Sequence, residues 1–132
     1  MNSVAIGLTA LVLSSAANWA GAGEISLVSN QEICDSAIPE DKAAIVQARR
    51  DGDIVRLDVT AQLNCAHLPG KPELREWRSA ATVSVLTHSP SGAVAVCLCT
   101  HKFVFQITGL YEGAQSIYYV QDGTVLGHAI AP

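Results

Sequence analysis

The stretch from Ala93 to Ile107 constrains this chain more than any other, because its side chains change character with a period of two. Read as an extended strand, it places Cys97, Cys99, His101, Phe103, Phe105 and Ile107 on one side. Two thiols, an imidazole and three large apolar groups thus share one face of a single long strand. Such a face is either the inner surface of a cross-linked β-domain or the beginning of a metal site. The opposite side carries Val94, Val96, Leu98 and Val104, so part of this strand is expected to be central in its sheet.

The redox compartment bears on that choice. Val4 to Ala17 is an apolar run too short for a membrane span, which needs about 20 residues. Ala20-Gly21-Ala22 then supplies an A-x-A-like cleavage pattern ahead of Gly23-Glu24. Residues 1–22 read as a cleaved signal peptide, although Met1-Asn2-Ser3 carries no Lys or Arg, and residues 23–132 read as a single domain. The protein is then expected to be periplasmic or extracellular. All four cysteines, Cys34, Cys65, Cys97 and Cys99, lie beyond the leader. An even number in an exported chain points to disulfides, and four cysteines allow three pairings. Cys97 and Cys99 stand about 6–7 Å apart along a strand, whereas bonded cysteines need Cβ atoms about 3.8 Å apart. A bond between them would need a kink, so Cys34 and Cys65 are each expected to pair with one of the two.

The formal net charge is -4, with no basic cluster. Arg49-Arg50 and Lys71, Arg75 and Arg78 are too sparse and too mixed with acids to track a phosphate backbone, so nucleic acid is excluded as a partner. Anionic membrane surfaces are disfavoured on the same ground. Once the leader is removed, no membrane span is expected.

Along the chain, short extended segments alternate with turn formers. Ile25 and Leu27 mark an edge strand that Asn30-Gln31 is expected to break. A second short strand at Ile33-Cys34 ends before Pro39. Residues 43–49 and 53–65 form two strands around Asp51-Gly52, a type I′ hairpin signal. On the second, Val55, Leu57, Val59, Ala61, Leu63 and Cys65 face inward. Pro69-Gly70 and Pro72 interrupt the next loop, and Pro72 to Trp77 is compatible with a helical turn. Residues 78–88 return to strand, Ser89-Pro90-Ser91-Gly92 turns, and the long cysteine strand follows. Ser116 to Gln121 and Thr124 to Ile130 flank Asp122-Gly123, a second type I′ signal. Six or seven closely spaced strands without helical periodicity read as an all-β antiparallel sandwich.

Phe103-x-Phe105-x-Ile107-x-Gly109-Leu110-x-x-Gly113, followed by Ile117 and Tyr119, resembles the late part of immunoglobulin-like and fibronectin type III-like domains. With the upstream Cys-x-Cys and the downstream Asp-Gly, it is similar to small secreted bacterial β-domains of that kind. The resemblance spans Val96 to Ile130, about a quarter of the chain. It implies an immunoglobulin-like sandwich of about seven strands, and it implies no activity. Two features depart from it. Gln115 stands where a tyrosine corner is common, and Trp77, between Cys65 and Cys97, has charged neighbours on both sides.

Few residues are equipped for chemistry. Cys97, Cys99 and His101, with Cys65 and His67 from a second period-two run, form a donor set for Zn²⁺ or Cu⁺. Two structural disulfides would use up the same thiols. His88 is expected to be solvated and His128 to lie in the last strand. No G-x-S-x-G elbow, phosphate loop or calcium loop is present, and the carboxylates Glu24, Glu32, Asp35, Glu40 and Asp41 read as a solvated acidic surface. No catalytic residue is assigned. Trp77, flanked by Arg75 and Arg78, is the binding-surface candidate. The sequence therefore reads as an exported, disulfide-stapled, non-catalytic binding or accessory module without a cofactor, its partner a protein or a small ligand. The alternative is a periplasmic metal-binding protein that holds Zn²⁺ or Cu⁺ on the Cys-x-Cys-x-His strand. The residues specify neither partner identity nor oligomeric state.

Overall fold

The computed structural model describes residues 23–34, 43–92, 97–110 and 115–132. The expected leader at 1–22, the Pro39 turn, the first part of the cysteine strand at 93–96, and Tyr111 and Gly113 of the crossover lie outside the described residues. The protein is all-β, with no helix among the described residues. Its strands are β1 (Glu24–Ile33), β2 (Ala44–Asp51), β3 (Ile54–Asn64), β4 (Leu68–Pro69), β5 (Glu73–Glu76), β6 (Ala80–Val85), β7 (Thr87–His88), β8 (Leu98–Thr108), β9 (Gln115–Gln121) and β10 (Thr124–Ala131). These ten segments exceed the expected seven because β4 and β7 form a two-residue ladder of their own and β5 replaces the expected helical turn. At β5 the inward Leu74 alternates with exposed Glu73 and Arg75, a strand period, and the segment pairs with β6 as an edge.

One four-stranded sheet has the order β1-β8-β3-β2 and is antiparallel throughout. Strand β8 pairs with β3 along its whole length, from Ile54↔Thr108 to Asn64↔Leu98. The register sets Leu57 opposite Phe105, Val59 opposite Phe103, Ala61 opposite His101 and Leu63 opposite Cys99. All eight are buried, and the smallest side chain, Ala61, makes room for the imidazole. On the other side of β8, β1 continues through Asn30-Gln31 instead of breaking there. A bulge between Leu27 and Ser29 absorbs the change in register, and Asn30 pairs with Phe103.

The second four-stranded sheet has the order β10-β9-β6-β5. Its two hairpins are antiparallel, but β6 and β9 run parallel, Ala80↔Ser116 to Val85↔Gln121. This corrects the expectation of a fully antiparallel arrangement. The connection from β6 to β9 passes through β8 in the other sheet and returns to the end where β6 began, and a parallel pair needs such a crossover.

The two sheets share one core, to which β3 and β8 contribute from one side and Ala81, Val83, Val85, Ile117 and Tyr119 from the other. The architecture is sandwich-like. The Tyr119 ring lies 6.5 Å from that of Phe103 and 6.2 Å from that of Phe105. Its hydroxyl donates to Gln121 Oε1 at 2.7 Å, and Gln121 Nε2 donates to the Gln62 carbonyl at 3.0 Å, so this polar chain ties the second sheet to β3. Burial, with Asp122 nearby, pushes the Tyr119 phenol up and keeps it protonated. At one flank Gly127 of β10 sits so close to β2 that a Cβ there would come within 2.9 Å of Val46 Cγ2.

The hairpins differ in turn type. Asp122 and Gly123 have φ of 50° and 82° and connect Gln121 to Thr124, the expected type I′ geometry. Between β2 and β3 the paired residues are Asp51 and Ile54, which makes Gly52-Asp53 the loop. Only Gly52 has a positive φ, 60°, so this turn has the type II′ pattern and not the expected I′.

Removing the central ring of the core tests the packing. Phe105→Ala is expected to lower the unfolding free energy by about 3–5 kcal/mol, while Val125→Ala, exposed on β10, changes it by less than about 0.5 kcal/mol. Urea unfolding followed by tryptophan fluorescence measures both.

Candidate functional site

The four cysteines gather at one end of β8. Cys34 follows β1 and is bridged to Cys99, with Cα atoms 4.2 Å apart. Cys65 follows β3 and is bridged to Cys97, with Cα atoms 5.6 Å apart. Pairing brings each couple together. Ile33 is opposite Thr100 and Asn64 opposite Leu98, and the Cys65 amide donates to the Cys97 carbonyl at 3.1 Å. The bridges therefore fasten β8 to both of its neighbours. They span 65 and 32 residues of chain, and restricting loops of that length in the unfolded state stabilises by roughly 2–4 kcal/mol each. Cys97 departs from the expected geometry: it precedes β8 and is exposed, whereas Cys99 is buried.

Of the metal-donor candidates, Cys65, Cys97 and Cys99 are brought together, but as disulfides rather than thiolates. His101 is fully buried two residues along β8 from Cys99. Its Nδ1 lies 2.9 Å from Asn30 Oδ1, which can only accept, so Nδ1 carries the proton. Its ring stacks on Phe103 with centroids 5.6 Å apart, and Nε2 is buried with no hydrogen-bond partner among the described residues. Burial lowers the His101 pKa below 6.5, against a smaller opposing effect of Glu32.

His67 is engaged elsewhere. Its Nδ1 lies 3.0 Å from Thr87 Oγ1. That hydroxyl donates to Asp122 Oδ2 at 2.7 Å, while the Thr87 amide donates to Oδ1 at 2.8 Å. Because the hydroxyl proton is committed to the carboxylate, the imidazole donates to Thr87 and does not activate it. The three residues anchor a loop and do not form a nucleophile–base pair.

A donor set that the sequence reading missed is Glu32 with Cys34 and Cys99, one donor atom from each lying within 4.8 Å of the others. The Glu32 carboxylate lies 3.3 Å from Cys34 Sγ. The available signal was the period-two spacing of Glu32 and Cys34 at the end of β1.

Trp77 occupies the turn of the β5–β6 hairpin, its amide donating to the Ala80 carbonyl at 2.8 Å, and it is 62% exposed. Arg75 and Arg78 are exposed beside it. The sheet register carries this surface further. Arg75, Thr82, Tyr118 and His128 form one row across the outer face of the second sheet, and Ala80, Ser116 and Ile130 form the next. Tyr118, Val125 and Ile130 are exposed, and the Tyr118 and His128 rings lie 5.5 Å apart. Tyr118 and His128 could not be joined to Arg75 from sequence, because the parallel pairing that aligns them is not written locally. This hairpin is at the far end of the fold from the cysteines. The Gly23 amide, at the start of β1, donates to Glu76 Oε2 at 3.2 Å, while Cys34 lies at the other end of β1. A strand of that length spans roughly 30 Å.

The buried imidazole makes stability depend on pH. The unfolded chain binds a proton near pH 6.5 that folded His101 resists, so this contribution is complete above about pH 6.5 and declines as the pH falls toward the lower folded value. His101→Gln is expected to flatten the loss of unfolding free energy between pH 6.5 and 5 relative to the parent, by up to about 1.4 kcal/mol per pH unit. Urea titrations at a series of pH values check it.

Set beside known proteins, the chain matches no family model, no curated protein and no solved structure.

Proposed function

We propose that the protein is an exported, disulfide-stapled, non-catalytic binding module of immunoglobulin-like character, acting in the periplasm or outside the cell after loss of residues 1–22. Two bridges in one small domain support an oxidising destination. The observation that carries the binding reading is Trp77. An indole left 62% exposed on a hairpin turn, with Arg75 and Arg78 beside it and Tyr118 and Ile130 on the adjoining sheet face, is a surface suited to a partner. Trp, Tyr and Arg are the residue types that dominate binding energy at such surfaces. The partner is a protein or a small ligand whose exposed groups complement an aromatic patch with cationic edges.

A second reading is supported by one geometric fact, the convergence of Glu32, Cys34 and Cys99 within 4.8 Å. In a reduced protein these residues offer two thiolates and a carboxylate, a donor set suited to Zn²⁺. Cu⁺ would draw on the thiolates alone.

A photoreactive phenylalanine placed at position 77, or at position 118, in the protein expressed in its own cells tests the binding reading. One discrete adduct from both positions, absent when the probe is at Gln62, is expected. Failure of both positions to yield an adduct overturns it. With the partner identified, Trp77→Ala is expected to weaken binding about 30-fold, or about 2 kcal/mol, and to change stability by less than about 0.5 kcal/mol.

A further inference from the structure

The two disulfides touch. Cys99 Sγ lies 3.1 Å from Cys65 Sγ, a sulfur of the other bridge. The four sulfurs are therefore joined in the order Cys34, Cys99, Cys65, Cys97, with alternate links bonded and the middle link in contact. Exposure follows the same order. Cys99 is 1% exposed and Cys65 half-buried, while the outer cysteines, Cys34 and Cys97, are exposed. A reagent from solvent reaches the ends of this row more readily than its middle. At the Cys34 end it meets the Glu32 carboxylate, 3.3 Å from the sulfur, which repels an incoming thiolate.

We propose that this cluster is a thiol–disulfide exchange relay, which takes two electrons from an external dithiol at Cys97 and delivers a free thiol to Cys34, leaving Cys65 and Cys99 bonded. In the first step a thiolate of the dithiol attacks Cys97 Sγ. A mixed disulfide forms, the Cys65–Cys97 bond breaks, and its electron pair leaves on Cys65. In the second step the Cys65 thiolate attacks Cys99 Sγ, with which it is already in contact. The Cys65–Cys99 bond forms, the Cys34–Cys99 bond breaks, and the electron pair leaves on Cys34. In the third step the second thiol of the dithiol attacks its own sulfur in the mixed disulfide and frees Cys97. One dithiol becomes one cyclic disulfide, and its two protons end on Cys34 and Cys97. Exchange through a mixed disulfide is the general route for such reactions.

The product arrangement suits the environment of each sulfur. Direct reduction of either native bridge would leave a polar thiol at an inner position, Cys99 or Cys65. The relayed product keeps the uncharged disulfide inside and places both thiols where water reaches them. The inference is independent of the binding surface at Trp77, which lies at the other end of the fold.

Limited reduction of the oxidised full-length protein with dithiothreitol provides the test, at concentrations that remove one bridge per molecule. Acid quenching, alkylation and tandem mass spectrometry follow, with chymotryptic cleavage after Leu98 to separate Cys97 from Cys99. Most singly reduced molecules are expected to carry alkylated Cys34 and Cys97 and an intact Cys65–Cys99 bond. Alkylation confined to the native couples, Cys65 with Cys97 or Cys34 with Cys99, overturns the proposal. The variant carrying both Cys34→Ser and Cys97→Ser supplies a second measurement. Oxidised and folded, it is expected to contain no free thiol, and two free thiols overturn the relay. Should this variant not fold, the parent's alkylation pattern decides alone.

Discussion

The ladder between β3 and β8 is the interaction on which everything else in this protein depends. It pairs the two most strongly alternating strands of the chain, so every inward side chain of one meets an inward side chain of the other. Because β1 covers the second edge of β8, the backbone of that strand is hydrogen-bonded on both sides and its apolar residues can be buried without stranding amides. A slip of one residue would turn Lys102 and Gln106 toward the core and Phe103 and Phe105 toward water. The disulfides act at one end of these ladders, beside Leu98 and Thr100. They hold β8 to β1 and to β3 simultaneously, so the register of both ladders is pinned from one side.

Much of this arrangement was legible because it is local. Alternation along residues 53–65, 81–85 and 98–107 identifies the inner faces without any knowledge of partners, and Asp122-Gly123 identifies a hairpin from two residues. The parallel placement of β6 and β9 was not legible, since nothing in either strand records which neighbour it will have. The continuation of β1 past Asn30 was hidden for a related reason. Asn30 is a poor strand former judged alone, yet here the free edge of β8 supplies its backbone partner and its side chain binds His101. At the candidate sites, the exposure of Trp77 and the presence of Glu32 beside the sulfurs required the three-dimensional arrangement. The sequence marked Trp77 as a surface candidate without deciding whether it would fold under the sheet. His101, which looked like a ligand in a Cys-x-Cys-x-His run, is a core residue whose Nε2 has no partner among the described residues.

The fold separates its two chemically distinctive regions. The cross-linked end is covalently restrained and carries the buried histidine. The opposite end presents an aromatic turn and a sheet face whose side chains come from four strands. Rigidity at one end supports the shape of the other, because a surface assembled from β5, β6, β9 and β10 keeps its form only while the core beneath it does. The Tyr119–Gln121–Gln62 chain reinforces this coupling by joining the sheet that bears the aromatic face to the strand that bears Cys65 at its end.

The nested connectivity of the bridges, Cys65–Cys97 within Cys34–Cys99, has a consequence for the order in which the molecule is made. In a chain that emerges N-terminus first, Cys34 and Cys65 arrive before either of their native partners, and β1 and β3 arrive before the strand that lies between them. An oxidant present at that moment finds only one couple to join, Cys34 with Cys65, and that couple is absent from the finished protein. Correct assembly then requires either that oxidation wait until β8 has been delivered or that an early wrong bond be exchanged for one right bond, the second being formed by further oxidation. For a chain that emerged directly into an oxidising compartment, the yield of native protein would be a contest between the delivery of β8 and the formation of a premature bond.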